Sequence, residues 1–308
     1  MRPLKSVSFL FLLFLSTVCA AIPAREGNAS VESLRATEQR VAERLAKSPF
    51  GQPLHLEAAE KDGQLTGHAY ALLSYPFAQA AEPLADATQW CDILLLPFNT
   101  KHCETSAAAP GRLALSVFVG RKYTTPLERT HRIDFRFEVV SRTADYLRVT
   151  LSAPEGPFGT RDYRIVLELK PAENGRSFLH LGYSYSYGAI ARTAMQAYLS
   201  TVGSEKIGFS IEGKDPQGKP IPVRGVRGVM ERNTMRYYLA IESYLRALRV
   251  PAAERPARMI EAWFESVERY PRQLHELERG EYVPMKRAEF ERMRAGLSRA
   301  RRTASSSP

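Results

Sequence analysis

The stretch of sequence that decides the fold is Ile133–Val139, which reads IDFRFEV. Apolar and charged side chains alternate along it without a break. This period of two is typical of a β-strand that has one face in the core and the other in water. The segment therefore predicts a strand of a half-buried antiparallel sheet, with Phe135 and Phe137 on the buried face.

The same alternation continues on both sides of this strand. It is present in residues 113–119, 147–152, 163–169 and 181–187. Short turn sequences separate successive segments, at residues 142–145, 154–157 and 173–175. Because strands joined by such short turns pair in the antiparallel sense, these residues predict a meandering sheet.

Helical periodicity flanks and interrupts the strands. The predicted helices cover residues 30–47, 76–85, 87–96, 189–200, 226–248 and 253–298, the last with a break at Tyr270-Pro271. Further strands are predicted at residues 54–56, 67–73, 207–211 and 221–223, the first two around the turn Lys61-Asp62-Gly63. The helix at 226–248 carries a broad apolar stripe, which is typical of a helix buried against a sheet.

This order of elements resembles the helix-grip superfamily, which includes START-type lipid-transfer domains, bacterial polyketide cyclases and the birch-pollen allergens. The residues that carry the resemblance are Tyr75-Pro76-Phe77, Leu84-Ala85-Asp86, Trp90 and the helix from Arg232 to Leu248. It covers roughly residues 52–250 and includes no catalytic motif. The resemblance implies an α+β fold in which a curved antiparallel sheet grips a long C-terminal helix. This chain departs from the plain pattern of the superfamily in its extra helices at both ends, its helix near residues 189–200 and its expected disulfide.

The chain divides accordingly into five predicted segments. They are a signal peptide (1–20), an N-terminal helical appendage (21–50), a START-like helix-grip domain (51–250), a C-terminal helical extension (251–298) and a disordered basic tail (299–308). The remaining composition fits a folded chain, since 44% of residues are hydrophobic.

The first residues predict export. Arg2 and Lys5 precede the apolar run at 9–15, and signal peptidase cleavage is expected after Ala20. The alternative is an uncleaved membrane anchor. A lipid anchor on Cys19 is disfavoured because Val18, rather than a small residue, precedes it. The expected location is periplasmic or secreted.

Cleavage leaves two cysteines, Cys91 and Cys103. In an oxidising compartment we expect them to form a disulfide that acts as a structural staple. Their spacing is not that of a Cys-x-x-Cys redox site, and the six histidines supply no recognisable set of metal ligands. No metal site and no cofactor is predicted.

If the sheet grips the helix, the space between them forms an apolar hollow of the kind that holds small hydrophobic molecules. The residues predicted to bind such a ligand are Phe135, Phe137, Tyr163, Tyr183, Tyr185, Arg236, Tyr237 and Ile241. Each tyrosine offers an apolar ring and one hydroxyl to orient a polar group. The alternative is that these tyrosines simply fill the core. Arg232 and Arg236 either clamp a carboxylate or phosphate, or pair with Glu231 or Glu242 on a solvated face.

The formal net charge of +10 raises the question of which anionic partner the protein binds, if any. Nucleic acid is a poor partner for an exported protein. Basic residues are dense near the end, at Lys286, Arg287, Arg292, Arg294, Arg299, Arg301 and Arg302. They predict either peripheral contact with an anionic membrane or only a solvated helix face with a frayed tail.

No sequence motif of a hydrolase, metalloprotease, nucleotide-binding or dinucleotide-binding enzyme is present. His68, His131 and His180 each stand alone in sequence, so we expect them to be structural. Three hypotheses follow. The first is an exported binding protein for a hydrophobic or amphipathic ligand such as a lipid. The second is a cyclase-like enzyme that acts in the same cavity, and the third is an envelope assembly or adaptor protein.

Overall fold

A computed structural model describes residues 30–109, 112–188, 192–193, 195 and 205–305. The predicted signal peptide, residues 21–29, most of the predicted helix 189–200 and residues 306–308 lie outside the described residues.

The main element is an eight-stranded antiparallel sheet. Its strands are β1 (Leu54–Lys61), β2 (Gln64–Leu73), β3 (Thr100–Ala109), β4 (Arg112–Val119), β5 (His131–Arg142), β6 (Leu147–Glu155), β7 (Thr160–Ala172) and β8 (Arg176–Tyr187). Their spatial order is β1-β2-β8-β7-β6-β5-β4-β3. A separate hairpin pairs β9 (Ile211–Lys214) with β10 (Pro220–Pro222), slightly later than the predicted strand at 207–211.

The helices surround this sheet. They are α1 (Val31–Ala46), α2 (Phe77–Leu84), α3 (Ala87–Leu95), α4 (Gly225–Ala247), α5 (Arg255–Glu268), α6 (Pro271–Leu274) and α7 (Arg279–Ser305). Short 3₁₀ turns occupy Leu127–Arg129 and Pro157–Gly159. The predicted α+β fold, an antiparallel sheet with a long C-terminal helix and extra helices at both ends, is confirmed. No helix among the described residues has the length and apolar character needed to cross a bilayer.

Strand β3 is a correction to the predicted fold. Its sequence, TKHCETSAAA, lacks the clear alternation of the other strands, because its buried positions include Lys101, which forms an ion pair with Glu289 of α7, as well as Cys103. Cys103 on β3 forms the predicted disulfide with Cys91 on α3, so the edge strand is covalently tied to a buried helix.

The long helix α4 lies on the inner face of the sheet, against β1, β2 and β8. The approach is closest at Gly67, where a Cβ atom would lie 2.1 Å from Oγ1 of Thr234 and 2.9 Å from Cγ of Met230. Gly67 thus supplies the space that lets the helix backbone approach the sheet. The same cross-strand row continues through Tyr183 and Ile165.

Helix α1 covers part of the opposite, outer face. Ser30 and Ser33 form a capping box at its start. Its buried residues Leu34, Val41 and Leu45 pack in a small second core with Tyr70, Tyr146 and Phe178 of the sheet. The segment predicted as an appendage is therefore packed onto the sheet.

Helix α7 closes the other side. Lys286 is fully buried, and its Nζ donates to the carbonyls of Pro97 and Thr100 and to Glu289. This fastens α7 to the segment that joins α3 to β3. The helix continues to Ser305, so the backbone of residues 299–305, predicted as a disordered tail, is helical. Alanine and arginine, which favour helices, dominate that stretch.

Candidate functional site

Five of the predicted ligand-binding residues form one aromatic group, which we call the tyrosine cluster. It consists of Phe135, Tyr163, Tyr183, Tyr185 and Tyr237. The rings of Tyr163 and Tyr185 stack with centroids 5.2 Å apart. Tyr237, from α4, meets Tyr183 edge-on at 5.1 Å, and Phe135 lies 6.4 Å from Tyr163. The sheet and the helix therefore meet through aromatic rings at this point.

Burial sets the chemistry of these hydroxyls. It raises the pKa of Tyr237 to about 12, and it also raises the pKa of Tyr183 and Tyr185 well above the ordinary value of a tyrosine. The hydroxyls are neutral at physiological pH, so they can donate and accept hydrogen bonds but do not supply a base. Three are already engaged, since Tyr163 donates to Oγ1 of Thr160 at 2.9 Å, and Tyr183 and Tyr237 are hydrogen-bonded to each other.

The other three predicted residues lie apart from the cluster. Phe137 packs against Trp90 with ring centroids 6.3 Å apart, and Ile241 is buried in the core. The Arg236 guanidinium donates to Glu276 at 2.8 Å and to Asn233 at 3.3 Å.

The structure buries Arg232 and Arg236, so the alternative prediction of a solvated arginine face is wrong. Arg232 donates to the backbone carbonyl of Ile207, a residue outside the helix. A sequence-based choice of neighbours on the helix surface could not find this contact, because it comes from the segment between the sheet and α4. The ligand-binding role of the eight residues stays a prediction.

A cleft of about 520 Å³ lies where the C-terminal half of α4 passes the ends of β1 and β2. It is lined by Gln52, Pro53, Leu72, Leu73, Ser74, Tyr75, Tyr238, Glu242, Arg246, Arg249, Val250 and Arg258. None of the eight predicted residues is among them. The cleft combines apolar walls with charged groups, and we take it as the candidate functional site.

Polar groups with unused bonding capacity line this cleft. Nε2 of Gln52 and Oε2 of Glu242 are buried and have no hydrogen-bond partner in the part of the chain that the structure describes. The nearest cation to Oε2 of Glu242 is Arg269, at 3.8 Å. Burial raises the pKa of Tyr75, whose hydroxyl is also within electrostatic range of Arg249 and Glu242. These groups face a common space that can accommodate a polar ligand group.

The sequence of α4 contains a second pattern that indicates this site, beside the apolar stripe on which the prediction relied. Tyr238, Glu242 and Arg246 are spaced by four residues each, so they share one side of α4, and Arg249 follows in the turn directly after the helix. Such a mixed aromatic and charged stripe also fits a solvent-exposed surface. Only the approach of Pro53 and Leu72 from the sheet turns it into a cleft wall.

A second polar group lies on the outer face, under α1. Nδ1 of His68 is 3.0 Å from Nε2 of His180, and Nδ1 of His180 is 2.8 Å from Glu168. Glu168 also accepts hydrogen bonds from Tyr146, at 2.6 Å, and from Arg148, at 2.9 Å. We call these five residues the histidine network.

The network corrects the prediction that His68 and His180 stand alone. Strand β2 pairs with β8 and β8 with β7, which brings His68 beside His180 and His180 opposite Glu168. Burial raises the pKa of the Glu168 carboxyl, but its bonds to His180 and Tyr146 outweigh this, and its pKa falls to about 2. The network holds a buried carboxylate in place.

Comparison with solved structures finds helix-grip proteins. The Zhui aromatase/cyclase from Streptomyces sp. R1128 is 14% identical, over 65% of this chain and 98% of that chain, with a TM-score of 0.37. A conserved protein from Geobacillus kaustophilus is 13% identical, over 59% and 95%, with a TM-score of 0.35. A truncated norcoclaurine synthase from Thalictrum flavum is 13% identical, over 47% and 92%, with a TM-score of 0.32.

No protein-family model matches the sequence, and no curated protein matches it significantly. At such identities and TM-scores the structural matches describe a likeness of fold and carry no argument about activity. The fold assignment rests on the element order and strand pairing of this chain itself.

Proposed function

We propose that this protein is an exported, periplasmic or secreted binding protein for a hydrophobic or amphipathic ligand, such as a lipid, and that the cleft beside α4 holds the ligand. The observation that carries the proposal is the cleft itself, with about 520 Å³ between the sheet and the long helix. This volume lies in the range of roughly 300–1,000 Å³ that is common for small-molecule sites.

The walls of the cleft suit an apolar body. Pro53, Leu72, Leu73 and Val250 present aliphatic groups, and Tyr75 adds an aromatic ring. Burying apolar ligand surface contributes about 25 cal/mol per Å², so a short alkyl chain gains several kcal/mol before the cost of immobilising it. A binding protein would gain its affinity mainly from this contact.

Export is supported by the leader sequence and by the disulfide. Residues 1–20 have the charge and apolar pattern of a signal peptide. The bond between Cys91 and Cys103 is of the kind that persists in oxidising compartments. The basic residues of α7 other than the buried Lys286 suit a peripheral contact with an anionic membrane, where such a ligand would be collected or delivered.

Native mass spectrometry of the protein isolated from the periplasm, followed by lipid extraction, tests the proposal. We expect a co-purified amphiphile at close to one molecule per chain. Ser74→Trp fills the cleft from an exposed wall position, and it should remove the bound mass. The matched control is Ser106→Trp, at an exposed position on β3, which should leave it in place.

Three results would contradict the proposal. One is that wild type and Ser74→Trp carry the same bound mass, which would mean that the ligand lies outside the cleft. Another is chemical conversion of a supplied hydrophobic compound, which favours the cyclase-like enzyme. The third is an empty cleft in protein that captures an envelope partner, which favours the adaptor.

A further inference from the structure

We propose that the cleft selects an anionic amphiphile, whose acidic group lies against Arg249 and Arg258 while its apolar part lies against the aliphatic wall. This inference rests on the proposed function and adds the chemical class of the ligand. The acidic group is a phosphate or a carboxylate, and it belongs to a molecule that also carries an alkyl or aryl body.

The first support is the placement of the cations. Glu242, on α4, and Arg249, in the turn directly after that helix, both line the cleft. Arg258 comes from the next helix, α5, and lines the same space. Two guanidinium groups from different helices therefore reach one cleft, which permits contact with an acidic group from two directions.

The second support is that these cations are not neutralised. Within the described chain, neither Arg249 nor Arg258 forms an ion pair with a carboxylate. By contrast, Arg246 lies 3.8 Å from Glu265, which lies outside the cleft lining. An acidic ligand group would supply the missing counter-charge.

The third support is the orientation of Arg249. Its guanidinium lies over the ring of Tyr75, 4.8 Å from the centroid, and donates to the backbone carbonyl of Ser74 at 3.4 Å. Stacking on one face and bonding at one edge leave the other N–H groups of the planar fork for a ligand. The side chain is thus held at the cleft before a ligand arrives.

The fourth support is a pair of buried polar atoms, Nε2 of Gln52 and Oε2 of Glu242, that have no hydrogen-bond partner among the residues that the structure describes. Nε2 of Gln52 is a donor that matches an oxygen of the acidic group. Oε2 of Glu242 is an acceptor, and it matches a hydroxyl or ammonium group carried near the acidic group. A simple alkane satisfies neither atom, whereas a polar head group can satisfy both.

Isothermal titration calorimetry on the secreted mature protein tests the inference with three probes: decyl phosphate below its micelle concentration, decanol and inorganic phosphate. We expect decyl phosphate to bind at least about tenfold more tightly than decanol, and inorganic phosphate to bind far more weakly than either. The double variant Arg249→Ala/Arg258→Ala should lower the affinity for decyl phosphate by about tenfold or more and leave decanol unchanged.

The matched control is Arg121→Ala/Arg129→Ala, which removes the same charge from exposed positions outside the cleft and should leave all three affinities unchanged. Equal affinities of the cleft variant and wild type for decyl phosphate would overturn the anion inference, and the proposed function would stand. If inorganic phosphate bound as tightly as decyl phosphate, the inference that the ligand also carries an apolar part would be wrong. Absence of binding by decanol and decyl phosphate alike would overturn the proposed function together with this inference.

Discussion

Nδ1 of His68 lies 3.0 Å from Nε2 of His180, although the two residues are 112 positions apart in the chain. Since Nδ1 of His180 faces the Glu168 carboxylate, its N–H donates there, and its Nε2 accepts the N–H of His68. Helix α1 packs on the same face of the sheet.

The first prediction is a loss of stability in mild acid. Burial lowers the pKa of His68 to about 4 in the folded protein, from 6.5, with a further contribution from the neighbouring His180. Below pH 6.5 the imidazole of His68 becomes protonated in the unfolded chain but stays neutral in the folded protein. The free energy of unfolding therefore falls as the pH falls toward 4. We expect urea denaturation to show a loss of about 2 kcal/mol between pH 7 and pH 5.

The variant His68→Gln isolates this contribution. Its amide can still donate to His180, but it does not titrate. The difference in unfolding free energy between pH 7 and pH 5 should shrink by most of that amount. An unchanged difference would mean that other groups cause the acid sensitivity.

The Glu168 carboxyl, with its pKa lowered to about 2, contributes to stability in a different pH range. Its contribution to the free energy of unfolding is lost only between about pH 4.5 and pH 2.

The second prediction concerns the contact between β2 and α4. In Gly67→Ala the new Cβ would lie 2.1 Å from Oγ1 of Thr234, so the side chain of Thr234 or the helix that carries it must shift. We expect a loss of about 1–3 kcal/mol in the free energy of unfolding, measured by urea denaturation. The control is Gly213→Ala on β9, where a Cβ meets no atom within 4 Å and the effect should stay below about 0.5 kcal/mol. Equal effects would show that the close approach is not what the glycine provides.

The third prediction concerns the disulfide between Cys91 and Cys103. Reduction with dithiothreitol should lower the free energy of unfolding by about 2–4 kcal/mol, because the unfolded chain regains the freedom of the closed loop. The double variant Cys91→Ser/Cys103→Ser should match the reduced protein and show no response to the reductant. If the oxidised and reduced proteins unfold at the same urea concentration, the bond is not a stabilising staple.

The fold was predictable where one face of an element is buried and the other is wet. Ile133–Val139 alternates because the outer face of β5 meets water, and its pattern located the strand correctly. Strand β3 was missed because its buried positions include the charged Lys101, paired with Glu289, as well as Cys103, so its sequence does not alternate between apolar and polar residues. Strand pairing between distant segments also placed His68 beside His180, and a lone histidine in the sequence carries no sign of that.

The alternation of side chains along a strand also made the tyrosine cluster predictable, but the cleft could not be predicted from the sequence. Tyr183 and Tyr185 alternate with small residues along β8, which placed them on the inner face. The cleft depends on how far α4 extends past the end of β2, and this is set by three-dimensional packing. Its charged stripe, Glu242 to Arg249, reads in the sequence as an ordinary solvated helix face.

The fourth prediction separates the tyrosine cluster from the cleft as the ligand site. Tyr185 is 5% exposed and stacks on Tyr163, so Tyr185→Ala should cost about 3 kcal/mol of unfolding free energy by leaving a cavity. Tyr185→Phe should cost less than about 1.5 kcal/mol. At temperatures where Tyr185→Ala remains folded, its affinity for decyl phosphate should equal that of wild type. Weakened binding of hydrophobic probes by folded Tyr185→Ala would instead identify the cluster as the ligand wall.

The fifth prediction uses Glu242 to identify what accompanies the acidic group of the ligand. Glu242→Gln keeps the size of the side chain but removes a negative charge from the cleft, so decyl phosphate should bind several-fold more tightly. A lysophosphatidylethanolamine, whose ammonium group needs an acidic partner, should bind several-fold more weakly to the same variant. Opposite changes in the two affinities, measured by calorimetry, are the expected result. If both affinities shift in the same direction, the Glu242 carboxylate does not contact the head group, and its Oε2 serves only the packing of α4.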